Sequence, residues 1–321
     1  MSVAPPATGR IGLIAGWGRF PLLVADALRA QGREVVVVAI KGEADPALRE
    51  HADAFHWTGL IQVGRMVELL KAEGCTTCVM AGKVHKTAMY ARFRILRFRP
   101  DLTFFRLWFR ALTDRRDDTL LGTFARFLQE HGITLLSSAE LAPDLLAPSG
   151  VLTRRAPTAE ERLDIAYGYR VARELGRLDI GQSALVHERA VLALEAIEGT
   201  DAAIRRAGGL CPRGGFTLVK VAKPDQDMRF DVPAFGPLTV RTLADAGGAV
   251  IAYEARRTLL LDAEEAIALA DARGVAIVGT TDEDVAALEA DHRARVLDAR
   301  RDLGAYGRAA EGGDQAEAGR S

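Results

Sequence analysis

The stretch that most restricts how this chain can fold is Glu34-Val35-Val36-Val37-Val38-Ala39-Ile40. A strand with one solvated face alternates apolar and polar residues, whereas six apolar residues in succession bury both faces. That pattern belongs to a strand inside a parallel sheet with helices on either side. Its surroundings agree. Ile11-Gly12-Leu13-Ile14-Ala15 is a second apolar run, Gly16-Trp17-Gly18-Arg19-Phe20-Pro21 a glycine-rich turn, and Leu22 to Gln31 carries helical spacing. Ala54 to Trp57, Val63 to Ala72 and Thr76 to Ala81 continue the alternation of strand and helix. The expected fold is α/β: two α/β domains, the N-terminal one doubly wound and Rossmann-like.

At 321 residues the chain is long enough for two cores. Residues 1–142 read as the first domain, 143–157 as a linker marked by Pro148-Ser149-Gly150, and 158–281 as a C-terminal α/β catalytic domain. Within the latter, Glu160 to Leu175 reads as a helix, Ser183 to His187 and Arg189 to Glu195 as a hairpin, and Phe216 to Ala222 as a strand. From Thr281 on, helical spacing fades, so 282–321 is expected to be a frayed or disordered tail. The net charge of −1 offers no global field for nucleic acid. No run of about 18 apolar residues is present, and residues 1–9 lack the order of a signal peptide. The expected location is cytoplasmic. Cys75 and Cys78 form a C-x-x-C without a second ligand pair, and with Cys211 they read as buried or half-buried thiols.

A doubly wound domain binds ligands at the carboxyl ends of its strands, and a glycine-rich turn there lets backbone N–H groups approach phosphate. Gly16 and Gly18 are placed for this, and Lys83 at another strand end adds a cation. The dinucleotide fingerprint is incomplete, because Pro21 stands where its third glycine belongs and Glu34 comes too early for a ribose partner. A tight strand-to-helix turn explains the same residues.

The stretch Lys223-Pro224-Asp225-Gln226-Asp227-Met228-Arg229-Phe230-Asp231-Val232-Pro233 carries the densest chemistry. If extended, it sets Asp225, Asp227, Arg229 and Asp231 on one face and a mostly apolar row on the other. Carboxylate oxygens suit Mg²⁺, which usually takes one or two of them together with phosphate oxygens, and Arg suits phosphate. The alternatives are a solvated edge strand, or Arg229 paired with its neighbouring carboxylates. Residues 83–116 hold ten Lys or Arg against two Asp, interleaved with seven aromatic residues. That block reads as a surface for anionic lipid or membrane, or as an ordinary amphipathic helix pair, ahead of single-stranded nucleic acid.

Five segments in one order resemble the LpxI-type UDP-2,3-diacylglucosamine pyrophosphatases of lipid A biosynthesis, over about Ile11 to Gly279. They are Gly12-Leu13-Ile14-Ala15-Gly16 with Gly18 and Pro21, then Asp117-Asp118, and Gly176-Arg177-Leu178-Asp179-Ile180-Gly181-Gln182. Glu198-Gly199-Thr200-Asp201 follows, and last Lys223-Pro224 with Gln226, Arg229, Asp231, Pro233 and Gly236. The resemblance implies substrate held between two α/β domains, Mg²⁺ dependence, and water attack to give UMP and 2,3-diacylglucosamine 1-phosphate (lipid X). It places the catalytic Asp at Asp231. Read together, residues and resemblance assign catalysis to Asp231 and metal to Asp231 and Asp227. Substrate contacts fall to Gly16, Gly18, Lys83, Gln182, Thr200, Asp201, Lys223 and Arg229. The implied partners are the UDP-2,3-diacylglucosamine lipid and the inner membrane surface, touched peripherally, with no nucleic acid. A homodimer is compatible with this. A nucleotide-binding oxidoreductase, from the first βαβ unit, and a non-enzymatic lipid-binding protein are the competing readings.

Overall fold

The computed structural model describes residues 9–84, 117–224, 227–229 and 232–295. The chain forms two compact units, and neither is continuous in sequence. The first comprises Met1–Ala147, Asp225–Phe235 and Leu259–Asp262, and the second Pro148–Pro224, Gly236–Thr258 and Ala263–Ser321.

In the first unit β1 (Arg10–Ala15), β2 (Glu34–Ile40), β3 (Ala54–Thr58), β4 (Thr77–Ala81) and β5 (Thr134–Leu136) form a sheet in the order β3-β2-β1-β4-β5. Every pairing is parallel. The side-chain period of two sends Ile11, Leu13, Val35, Val37 and Ala39 to one face, where Val24, Ala25 and Leu28 of helix α1 (Phe20–Ala30) cover them. Ile14, Val36, Val38 and Ile40 go to the other face. There they meet Met66, Val67 and Leu70 of α2 (Val63–Ala72) and Ala125 and Leu128 of α3 (Asp117–Glu130). The uninterrupted apolar run of β2 is thereby accounted for, and the doubly wound expectation holds. Cys75 and Cys78 lie in this second core, and burial pushes the Cys75 thiol up to about 11.

The second unit holds a mixed six-stranded sheet. Its strands are β6 (Gly150–Val151), β7 (Ser183–His187), β8 (Ala190–Leu194), β9 (Thr217–Lys220), β11 (Val250–Glu254) and β13 (Ala276–Thr280), in the order β6-β13-β11-β9-β7-β8. β9, β11 and β13 are mutually parallel, and β6, β7 and β8 run antiparallel to their neighbours. The long helix of this unit, α5 (Ala159–Arg177), follows the short α4 (Ser138–Leu141) of the first in sequence. It opens on a reciprocal cap, with the Thr158 hydroxyl accepting from Glu161 N–H and the Glu161 carboxylate accepting from Thr158 N–H. Ile165, Ala166, Tyr169 and Ala172 of α5 cover one face of the sheet. α6 (Thr200–Leu210), α7 (Pro237–Asp245) and α8 (Ala263–Arg273) pack in succession in the same unit.

Two expectations change. Residues 282–295 continue as helix, because Val285 is buried and Leu288 packs beside it on the core of α5, with Arg170 paired to Glu289 at 2.7 Å. The expected tail therefore does not begin at 282. The unit boundary at Ala147 falls inside the expected linker, yet two segments of the C-terminal half return to the first unit. β10 (Ala234–Phe235) and β12 (Leu259–Leu260) pair in parallel, and Leu146 bridges Leu259. Backbone groups need partners wherever a segment is buried, and these segments find theirs far along the chain.

Candidate functional site

In the first unit the strand order turns at β1 and β4, the position where open α/β sheets present ligand sites. The loops leaving these strands are stitched together. Gly16 N–H donates to Ala81 O at 2.8 Å, Trp17 N–H to Lys83 O at 2.7 Å, and Lys83 N–H to Trp17 O at 2.9 Å. A Cβ on Gly16 would stand 2.6 Å from the Lys83 carbonyl oxygen. Glycine at 16 thus serves backbone approach, and its N–H is committed to Ala81. Gly18 adopts φ +102°, a region that favours glycine. Pro21 supplies no N–H to the start of α1, and Leu22 and Leu23 donate to Arg19 O at 3.1 and 3.3 Å. The Trp17 side chain is 48% exposed and Lys83 is exposed.

The segment after Pro224 is described at 227–229, and there it is a turn and not an extended strand. Asp227 Oδ1 accepts from Arg229 N–H at 3.1 Å and from Arg229 Nε at 2.9 Å, while Oδ2 accepts from Arg229 Nη2. A carboxylate that bonds the backbone two residues on closes a turn, which overrides the alternation expected from sequence. The Arg229 guanidinium holds the Asp227 carboxyl below its usual range. The Ser137 hydroxyl donates to Met228 O at 2.9 Å and anchors the turn. Asp225 and Asp231 lie outside the described residues. Lys223, in the second unit, pairs with Asp179, and Gly176 lets α5 approach closely: a Cβ there would meet Lys223 Cα and Pro224 Cδ, each at 3.2 Å.

The second unit holds a buried polar group around Lys220. β9 is buried throughout, and at its carboxyl end Lys220 is only 4% exposed and lies in register with Ser183 of β7. Lys220 Nζ donates to Thr200 Oγ1 at 2.8 Å and to Ser183 Oγ at 3.4 Å, and it stands 3.9 Å from Glu195 Oε2. The Thr200 hydroxyl in turn donates to Glu195 Oε1 at 2.8 Å. Burial raises the Glu195 pKa. The Lys220 ammonium, the Ser183 and Thr200 hydroxyls and the Gln182 N–H outweigh it, so the net direction is down. Gln182 O accepts from Val221 N–H at 3.0 Å, and the first turn of α6 carries Thr200 and Asp201.

Of the residues expected from sequence, Gln182, Thr200 and Asp201 are thus gathered in this unit, and Asp227 and Arg229 are paired in the other. Glu195 and Lys220 were not singled out from the sequence. The available signal was a lysine inside the apolar run Phe216-Thr217-Leu218-Val219-Lys220-Val221-Ala222. A charge there must find a buried partner.

Beside this group Glu254, at the carboxyl end of β11, is also buried. Its Oε2 accepts from Ala222 N–H at 2.8 Å, and its Oε1 from Arg173 and Arg257, each at 3.1 Å. This network fixes the chain as it leaves β9. Among the described residues no three His, Cys, Asp or Glu side chains converge on a metal position, and no helix is long and apolar enough to cross a membrane. Asp227, ionised and oxygen-bearing, is the kind of ligand Mg²⁺ takes in ones and twos beside substrate phosphate.

Comparison with known proteins covers nearly all of this architecture. The LpxI N-terminal domain matches residues 10–145 and the LpxI C-terminal domain residues 148–278. A curated relative, the UDP-2,3-diacylglucosamine pyrophosphatase LpxI of Caulobacter vibrioides, is 35% identical over 285 residues, 86% of this chain and 99% of that protein. Among solved structures, the biotin carboxylase domain of a thermophilic 2-oxoglutarate carboxylase bound to ADP aligns over 55% of this chain and 34% of its own at 14% identity. Its TM-score of 0.24 is too low to bear on the fold.

Proposed function

This chain belongs to the LpxI family, and on that premise we propose that it hydrolyses the pyrophosphate of UDP-2,3-diacylglucosamine in lipid A synthesis. The products are UMP and 2,3-diacylglucosamine 1-phosphate. The observation that carries this reading is that the likeness to a named pyrophosphatase runs through both family domains and spares almost none of the relative.

Cleaving the anhydride adds a water oxygen to one phosphorus while the bridging oxygen leaves with the other. It requires the phosphate charge to be offset and one water proton to be taken up. Asp231, from the family resemblance, receives the proton role and, with Asp227, the Mg²⁺ ligand role. When bound, that ion supplies charge neutralisation at the phosphate oxygens and a more acidic water. Arg229, already ionised and planar beside Asp227, and Lys223 are suited to hold phosphate oxygens. Gly18 and Lys83 sit at the strand-end rim for the same purpose, whereas the Gly16 N–H is engaged within the fold. Gln182, Thr200 and Asp201 contribute further substrate contacts. A substrate with two acyl chains resides at a membrane surface, and the basic, aromatic block 83–116 suits peripheral contact with the cytoplasmic face of the inner membrane. Most of that block lies outside the described residues.

Incubation with UDP-2,3-diacylglucosamine and Mg²⁺, followed by phosphorus NMR, tests the reaction. The two coupled pyrophosphate signals are expected to give way to two monoester signals, one of them UMP. Binding of the lipid without cleavage would leave a lipid-binding protein, and NAD(P) binding without cleavage would restore the oxidoreductase reading.

A further inference from the structure

We propose that Ser137 is the positioning residue for the turn Asp227–Arg229, holding its carboxylate and guanidinium at the strand-end rim of the first unit. The inference rests on the pyrophosphatase reading, which gives those two groups their work, and adds the side chain on which their placement depends.

The turn reaches this rim from far along the chain, since Asp225–Phe235 belongs to the first unit. Asp227 bonds both the backbone and the side chain of Arg229, so the two charged groups are fixed to each other. That pairing does not decide where the pair stands in the fold. The Ser137 hydroxyl does so by donating to Met228 O, the central carbonyl of the turn, at 2.9 Å. Ser137 is the first residue after β5, which runs parallel to β4, and it therefore lies on the side where open α/β sheets present ligands. It is 4% exposed, with Ser138 and Leu141 of α4 buried beside it. Leu141 packs in the core under α1, and Gln31 at the end of α1 donates to Leu141 O at 2.7 Å. Downstream, Leu259 N–H donates to Pro233 O at 2.8 Å and Leu261 N–H to Phe235 O at 2.9 Å. A functional group is only as well placed as the residues that support it, and here the support is a packed element.

The same hydroxyl has a second task. It accepts from Ala139 N–H at 3.2 Å and so caps α4, which one hydroxyl can combine with donation. Capping needs an acceptor and tolerates glycine almost as well, whereas the bond to Met228 needs the proton. A structural role and a positioning role are thereby separable by substitution. Charge supports the placement: Asp227 above all, and to a smaller extent Glu140 of α4, raise the Arg229 pKa.

The test compares the parent with Ser137→Ala, Ser137→Gly and Ser137→Thr. Alanine removes both tasks, glycine removes the donor and keeps most of the capping preference, and threonine keeps both. Hydrogen exchange of the peptide spanning 227–229 is measured without Mg²⁺ or substrate. It is expected to quicken about two- to tenfold in the alanine and glycine variants and to stay parental in the threonine variant. On detergent-solubilised UDP-2,3-diacylglucosamine, kcat/KM is expected to fall about 10- to 100-fold in the alanine and glycine variants, with more Mg²⁺ needed for half-maximal rate. Threonine should restore both. A merely structural role would lower the rate only as far as the folded fraction, read from melting curves, and would leave KM and the Mg²⁺ requirement parental. If the glycine variant does not fold, the alanine variant carries the contrast through KM and the Mg²⁺ requirement. Equal exchange in all four proteins overturns the proposal, as does a glycine variant with parental kinetics. A parent that cleaves nothing sinks the pyrophosphatase reading alone, and the exchange contrast then decides the positioning role by itself.

Discussion

Gly16 faces the backbone carbonyl of Lys83 so closely that a methyl group on it would stand 2.6 Å from the oxygen. Gly82 completes the contact from the other side at φ +92°, where a Cβ would lie 2.8 Å from Gly16 C and from Trp17 O. The loops after β1 and β4 are therefore joined backbone to backbone at the sheet's switch point, with Lys83 displayed beside Trp17.

Gly16→Ala is expected to force these loops apart and to destabilise the first unit by about 1–3 kcal/mol, the usual range for overpacking. Urea denaturation reads the loss directly. Parental stability would show that the loops separate freely.

Asp231→Ala is expected to lower turnover by orders of magnitude while leaving substrate binding largely intact, because the proposed role is in proton transfer and ion binding. Asp231→Asn should be nearly as poor, since it removes charge at constant shape. Near-parental kcat in either variant removes Asp231 from the mechanism.

Lys220→Met removes the cation beside the buried Glu195 carboxylate, and the expected loss is about 3–5 kcal/mol. The double variant Lys220→Met with Glu195→Gln should recover much of it. In the parent, the depressed Glu195 pKa means its contribution is complete above the ordinary value of 4.5 and is lost as pH falls through the lower folded value. Lys220→Met removes the largest of the causes that lower that pKa, so the variant should lose less stability than the parent as pH falls. A denaturation series across acid and neutral pH distinguishes the two slopes, and parallel slopes would dismiss the pairing.

Asp164→Ala is expected to loosen the β7–β8 hairpin. Glu188 and Arg189 occupy its two-residue turn at φ 49° and 61°, and their N–H groups donate to Asp164 Oδ2 and Oδ1 at 3.0 and 2.6 Å. Hydrogen bonds to a charged group contribute about 1.5–3 kcal/mol each. Placing Asn at 188 and Gly at 189, which prefer this turn, should restore part of the stability. No rescue would mean that Asp164 acts elsewhere than at the turn.

Replacing Arg92, Arg94, Arg97 and Arg99 by Ser is expected to weaken binding to anionic vesicles, by about 1 kcal/mol for each charge that lies near the surface. Hydrolysis of detergent-solubilised substrate should survive. Vesicle binding equal to the parent's removes the block from membrane contact, and loss of hydrolysis moves it into the active site.

The sequence by itself determined the elements whose causes lie within a few residues. Six apolar residues from Val35 to Ile40 can only be satisfied on two covered faces, so the parallel, doubly wound sheet was legible, as were the core thiols at Cys75 and Cys78. Thr200 was picked out through a family motif, though not its place between Glu195 and Lys220. What the tertiary structure decided was partnership across distance. Lys220 meets Thr200 and Glu195, 20 and 25 residues away along the chain, and a lone lysine in an apolar strand names no partner. The turn at Glu188-Arg189 lacks the residues such turns prefer and is held by Asp164 from α5, and Asp227 folds onto Arg229 where alternation predicted an extended row. Segments 225–235 and 259–262 join the first unit through hydrogen bonds made to each other and to residues far upstream. Local preference and apolar period are written in neighbouring residues, whereas the partner that satisfies a buried charge or a backbone N–H is selected only when the chain has closed around it.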